Sequence, residues 1–137
     1  MKNAGYSGTP LAKKLGIKPK SKLRLINQPD YYFELFEDFP TEITMLTNGK
    51  TKADTIHYFA TTAAKLGKDI VSLRKEMEED GMLWISWYKK SSKIESDLNE
   101  NIIREIALAN GLVDVKVCAV DEMWSGLKLV IRVKERK

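Results

Sequence analysis

Three short polar clusters carry residue types that hold anions. Lys89-Lys90-Ser91-Ser92 closes an apolar run over 82–88. Thr61-Thr62 stands between an aromatic, β-branched run and a helical pattern, and Asn27-Gln28 ends a third apolar run. Ammonium and hydroxyl groups grip phosphate or carboxylate oxygens, and a helix N-terminus adds N–H donors that lack intrahelical partners. Asn27, Gln28, Thr61, Thr62, Lys89, Lys90 and Ser91 are therefore the candidate ligand-binding residues, for a small anionic ligand. A plainer reading competes and is favoured. Thr61 and Thr62 are then helix caps and the lysines solvated loop charges, since Ser and Thr are strongly preferred at caps.

No catalytic set emerges. His57 is the single histidine and stands in the middle of an apolar run, a place for a packed residue. Cys118, the single cysteine, is flanked by valine and alanine and reads as a small buried hydrophobe. No second His or Cys stands at metal-ligand spacing, which argues against a zinc site. Asp54, Asp114 and Asp121 are scattered, with nothing to pair them. Trp84 and Trp87 sit in the apolar run 82–88 and belong to a core. Trp124, in DEMWSG, is expected in a turn, where exposure makes it a contact residue for a partner; folding back onto Tyr88 or Trp87 is the other outcome.

The totals set the frame. A chain of 137 residues with 43% hydrophobic and 31% charged residues is one soluble domain, 1–137, able to bury its own core. No stretch of 18 apolar residues spans a membrane. The start, MKNAGYSGTPLAKKLG, lacks the apolar segment of a signal peptide. One cysteine excludes an intrachain disulfide, and these features predict a cytoplasmic location. The net charge of +4 comes mostly from the ends: Lys13, Lys14, Lys18, Lys20, Lys22 and Arg24, then Arg132, Lys134, Arg136 and Lys137. Without interleaved aromatics this surplus reads as a solvated surface, and nucleic acid is not the expected partner.

Periodicity supplies the elements. Residues 1–8 read as an irregular arm. Pro10 and Gly16 bracket a short helix over 10–15. Strands are expected over 22–28, stopped by Pro29, and over 42–46, with a short helical segment over 31–36 between them. A third strand covers 53–60. Leu66, Ile70, Leu73 and Met77 then mark one face of a helix that runs to the acids before Gly81. The run 82–88 is apolar on both faces, the mark of a central parallel strand. Ser96 or Asp97 is expected to cap the next helix, with Glu100 completing a capping box, and Gly111 to end it. Two alternating runs, 112–120 and 127–133, predict a closing antiparallel hairpin. The sum is a three-layer α/β, Rossmann-like fold: a mostly parallel sheet of about six strands with a C-terminal antiparallel hairpin.

That layout resembles a shortened class I methyltransferase fold, whose sheet also ends in a hairpin. The resemblance implies that the first and third strands lie side by side at a switch point, where ligands bind in open α/β sheets. It also implies a glycine-rich turn after the first strand and an acid ending the second, both to hold S-adenosylmethionine. Here those places read Asn27-Gln28-Pro29-Asp30-Tyr31 and Met45-Leu46-Thr47-Asn48, with neither glycine nor acid. A second resemblance covers nearly the whole chain. GYSGTPLAKKLGIK, LWISWYKKSSKIESDLNE and GLVDVKVCAVDEMWSGLKLVIR resemble a family of small bacterial proteins catalogued as a domain of unknown function. It implies a fold and supplies no activity. The expectation is a non-enzymatic binding or interaction protein without a cofactor, on a degenerate methyltransferase-like scaffold. A small-ligand or nucleotide-binding enzyme using the cleft at the strand ends is the alternative.

Overall fold

The computed structural model describes residues 9–136; the arm expected over 1–8 lies outside the described residues. The chain runs α1 (Leu11–Leu15), β1 (Lys22–Ile26), a 3-10 turn (Tyr32–Leu35), β2 (Thr44–Leu46), β3 (Ala53–Phe59), α2 (Ala63–Lys75), β4 (Met77–Tyr88), α3 (Glu100–Leu108), β5 (Leu112–Ala119) and β6 (Trp124–Ile131). The six strands form one sheet in the order β2-β1-β3-β4-β6-β5. The first four are mutually parallel; β6 runs antiparallel to both β4 and β5. The switch point falls where expected. From β1 the chain goes to β2 on one side and to β3 on the other.

Alternation along the strands feeds two cores. Ile56, Tyr58, Leu83, Ile85, Trp87, Leu127 and Leu129 face α2 and α3, which contribute Leu66, Ile70, Leu73, Ile103 and Ala107. Leu23, Phe59 and Trp84 face the other way and meet Leu11 and Leu15 of α1 and Tyr32, Leu35 and Phe36 of the 3-10 segment. β4 therefore buries both faces, as a central strand does. Trp84 also donates its indole N–H to the carbonyl of Leu15 (2.8 Å), tying α1 to the sheet.

Several boundaries move, each for a physical reason. The helical segment expected over 31–36 is a 3-10 helix over Tyr32–Leu35, and its aromatics pack as a cluster onto the sheet. The helical face Leu66, Ile70, Leu73 ends at Lys75, and Met77 begins β4. Ala53 pairs with Met77, yet Thr55 pairs with Met82, so the residues between bulge out of the ladder. Gly81 permits this. A Cβ there would lie 3.0 Å from the Asp54 carbonyl oxygen and 3.1 Å from those of Ala53 and Glu78. The cap of α3 is Asn99, whose Oδ1 accepts from the Ile102 amide (2.9 Å), and not Ser96 or Asp97. Gly16 and Gly111 adopt the left-handed φ values of 76° and 78° expected beyond helix ends.

Candidate functional site

The polar clusters sit at the carboxyl ends of the strands. Asn27 follows β1 in the left-handed region (φ 60°), which Asn tolerates better than most residues. Its Nδ2 donates to the Phe59 carbonyl (2.9 Å) at the end of β3. The side chain thus spans the mouth of the switch point. Gln28 is exposed beside it.

Thr62 caps α2, its hydroxyl accepting from the Lys65 amide (3.2 Å). Asp97, from the loop before α3, accepts from the Ala63 amide (3.0 Å), and Ser96 donates to the Thr61 carbonyl (3.4 Å). A protein carboxylate thus already uses a donor in the first turn of α2. Lys89 continues from β4, its amide bonded to the Met123 carbonyl (2.8 Å). Its own carbonyl accepts from the Ser92 hydroxyl (2.6 Å), closing a short turn over Lys90–Ser92 that leaves Lys90 and Ser91 exposed.

These groups are not gathered into one site. Thr61 and Thr62 line an open cleft of about 560 Å³ with Glu95, Ser96 and Asp97. Lys89 and Lys90 line a second cleft of about 520 Å³ with Trp87, Tyr88, Ile94, Leu98, Asn99 and Glu100, and share Ser96 and Asp97 with the first. Ser96 and Asp97 form the border that the two clefts share. Asn27, Gln28 and Ser91 line neither cleft.

Trp124 is only 5% exposed and opens β6 instead of sitting in a turn. Its ring stacks on Tyr88 (centroids 4.1 Å apart) and meets Phe59 edge-on (4.9 Å). The cause is Asp121. Its Oδ1 accepts from both the Met123 and Trp124 amides (2.8 Å each), tightening the connection so that Trp124 folds onto the sheet. An Asp that bonds the amides two and three residues on is a recognised turn signal, present in DEMW. Tyr31 packs against this cluster, and burial pushes its phenol pKa up, with the Asp121 charge adding to that.

One buried polar chain escaped sequence reasoning. His57 is fully buried on β3. Its Nδ1 lies 3.0 Å from the Tyr32 hydroxyl and its Nε2 2.7 Å from the Ser86 hydroxyl. Burial drives its pKa down to about 3, so the ring is neutral, and burial pushes the Tyr32 phenol up. Tyr32 and Ser86 are 25 and 29 residues away from His57, and no local spacing marks them. Closed off from solvent, the three serve as a satisfied core network. Cys118 is half-buried, and burial raises its thiol pKa against the opposing pull of Lys14 and Lys116, which does not suit a nucleophile. Among the described residues no group of His, Cys, Asp and Glu could hold a metal ion, and no helix is long and apolar enough to cross a membrane.

No protein-family model matches the chain, and no curated protein matches it significantly. Solved structures do match. Magnesium protoporphyrin IX methyltransferase from Synechocystis PCC 6803, with bound S-adenosylhomocysteine, is similar at a TM-score of 0.63 and 13% identity, over 89% of this chain and 80% of that one. A putative type 11 methyltransferase from Sulfolobus solfataricus is similar at 0.59 and 14% identity, over 91% of both chains. An O-methyltransferase from neocarzinostatin biosynthesis, in complex with S-adenosylmethionine, is similar at 0.59 and 6% identity over 82% of this chain, which spans 49% of that larger one. The chain thus has a methyltransferase-like, Rossmann-like fold.

The fold raises the question of S-adenosylmethionine. The residues at the switch point do not suit it in the manner that the fold resemblance implies. The turn after β1 has no glycine, and the segment that follows it is a four-residue 3-10 turn. The Asn27 side chain crosses to Phe59. At the end of β2, Asn48 bonds its own Lys50 amide (2.9 Å), and no carboxylate stands there for a ribose.

Proposed function

We propose that this protein is a non-enzymatic binding protein on a methyltransferase-like scaffold, engaging a small anionic ligand or a protein partner at the carboxyl ends of β3 and β4. The observation that carries this reading is the Asn27–Phe59 hydrogen bond, which crosses the carboxyl ends of the two neighbouring strands whose outgoing connections part to make room for a ligand in such folds. The absence of a nucleophile–base pair at the strand ends among the described residues supports it. His57, the only imidazole, is buried and spent on Tyr32 and Ser86. Membership of the small bacterial family that the sequence resembles, and a cytoplasmic location, go with this reading.

The second reading is methyl transfer, favoured by the cofactor or its product bound in several of the matching structures. Isothermal titration with S-adenosylhomocysteine decides between them. No saturable heat is expected from the wild-type protein. Saturable binding, abolished by a bulky residue in place of Gln28, would overturn the proposal.

A further inference from the structure

We propose that the cleft of about 520 Å³ between the end of β4 and the start of α3 binds a small organic anion with an apolar body: a carboxylate or sulfonate carried on an aryl or branched aliphatic group. This rests on the reading above, that the switch point is not the ligand site, and adds the ligand's place and chemistry. The volume falls within the range of small-molecule sites.

Charge selects the sign. Four charged side chains line the cleft: Lys89, Lys90, Asp97 and Glu100. Both acids are already engaged. Asp97 accepts from the Ala63 amide, at the positive end of α2, and Glu100 pairs with Arg104. Neither lysine makes an ion pair among the described residues. The amide leaves Asp97 charged, so with Glu100 offset by Arg104 the cleft sets two ammonium groups against one carboxylate, a net positive charge. The neighbouring cleft is the internal contrast: it shares Asp97 but adds Glu95 and no cation, so an anion is directed to the lysine side.

The floor selects the body. Trp87 and Leu98 form a buried apolar wall, and Ile94 stands over it 40% exposed. Few donors remain for a bare inorganic ion. The Ser96 hydroxyl already donates to the Thr61 carbonyl (3.4 Å), and Asn99, whose oxygen accepts from the Ile102 amide, keeps only its amide N–H groups for an anion. Inorganic phosphate would meet two solvated ammonium groups and little else, which is weak in water. An apolar body laid on Trp87, Leu98 and Ile94 gains by burial and holds the anion beside the lysines that line the same cleft.

Naphthalene-2-sulfonate, its neutral counterpart 2-naphthylmethanol, and inorganic phosphate are the probes, titrated calorimetrically into the full chain. The sulfonate should bind saturably, the alcohol about tenfold more weakly or worse, and phosphate not measurably. The Lys89→Met/Lys90→Met variant should lose the preference for sulfonate over alcohol while unfolding at an unchanged urea midpoint. Ile94→Ser should weaken both naphthalene probes together. Equal binding of sulfonate and alcohol, an unchanged preference in the double variant, or no saturation by the sulfonate overturns the inference. S-adenosylhomocysteine titrated in parallel keeps the two readings apart. Its binding overturns the closed switch point, whereas the naphthalene arms alone decide the cleft.

Discussion

The carboxylate of Asp97, two residues before the α3 cap, accepts a hydrogen bond from the Ala63 amide in the first turn of α2, 3.0 Å away. A side chain that reads locally as the start of one helix serves the N-terminus of another, 34 residues distant. The contact fixes the β4–α3 loop against α2 and places a negative charge where the dipole favours it. Asp97→Ala should cost about 1 kcal/mol of stability, the usual loss for an N-terminal cap acceptor, measured by urea unfolding. Asp97→Asn keeps an acceptor and should recover most of that loss, most fully at high salt, where the charge–dipole contribution is screened. Equal loss in both variants would mean that the charge, and not the hydrogen bond, does the stabilising.

Asn27 combines a left-handed backbone with a side-chain bond across the switch point. The two contributions separate by substitution. Asn27→Gly removes the bond and keeps the backbone at ease. Asn27→Ala removes the bond and forces a Cβ into the left-handed region, at about 1 kcal/mol more. Asn27→Ala should therefore unfold at a lower urea concentration than Asn27→Gly, and both below wild type. The reverse order would mean that the turn relaxes out of that conformation.

Trp124 is a packing residue by position, with its indole between the Tyr88 face and the Phe59 edge. Trp124→Ala should cost about 3–5 kcal/mol, the range for an aromatic cavity, and Trp124→Phe much less. Asp121→Ala should act on the same cluster by freeing the Met123 and Trp124 amides, at about 1–3 kcal/mol for leaving buried donors unpaired. Thermal or urea unfolding of the three variants checks the ranking. A fully stable Trp124→Ala would return this residue to the surface.

The layout of strands and helices was legible because its signals are local. Alternation in β5 and β6, the two-sided apolar run of β4 and the Leu66-Ile70-Leu73 spacing each fit within about ten residues. The boundary at Met77 was not, because a buried Met at helical spacing looks the same whether it ends a helix or begins a strand, and the register shift at Gly81 that decides it is set by β3. Residues at the strand ends could be named, but their grouping could not. Between Thr61 and Thr62 on one side and Lys89 and Lys90 on the other stand Ser96 and Asp97, whose partners are backbone groups, which leave no trace in the sequence. The Tyr32–His57–Ser86 chain was hidden for the same reason: three elements supply one residue each.

That chain makes acid sensitivity a property of the core. His57 is held neutral in the folded protein, with its pKa lowered from 6.5 to about 3 by burial, while in the unfolded chain it protonates near its ordinary value. Between those two pH values the unfolded state binds one more proton than the folded state, so stability falls as pH falls. The full contribution is present above pH 6.5 and is lost progressively toward pH 3. The slope from this one group is about 1.4 kcal/mol per pH unit. The interval from about pH 6.5 to 5 isolates it, because ordinary carboxylates begin to titrate only below that. Urea unfolding across this interval should show the wild-type protein losing about 2 kcal/mol. His57→Gln, less stable throughout because it disturbs the bonds to Tyr32 and Ser86, should be nearly flat over the same interval. Parallel curves for the two proteins would mean that the imidazole takes up its proton without leaving the core, and that the Tyr32 and Ser86 hydroxyls turn to accommodate the cation.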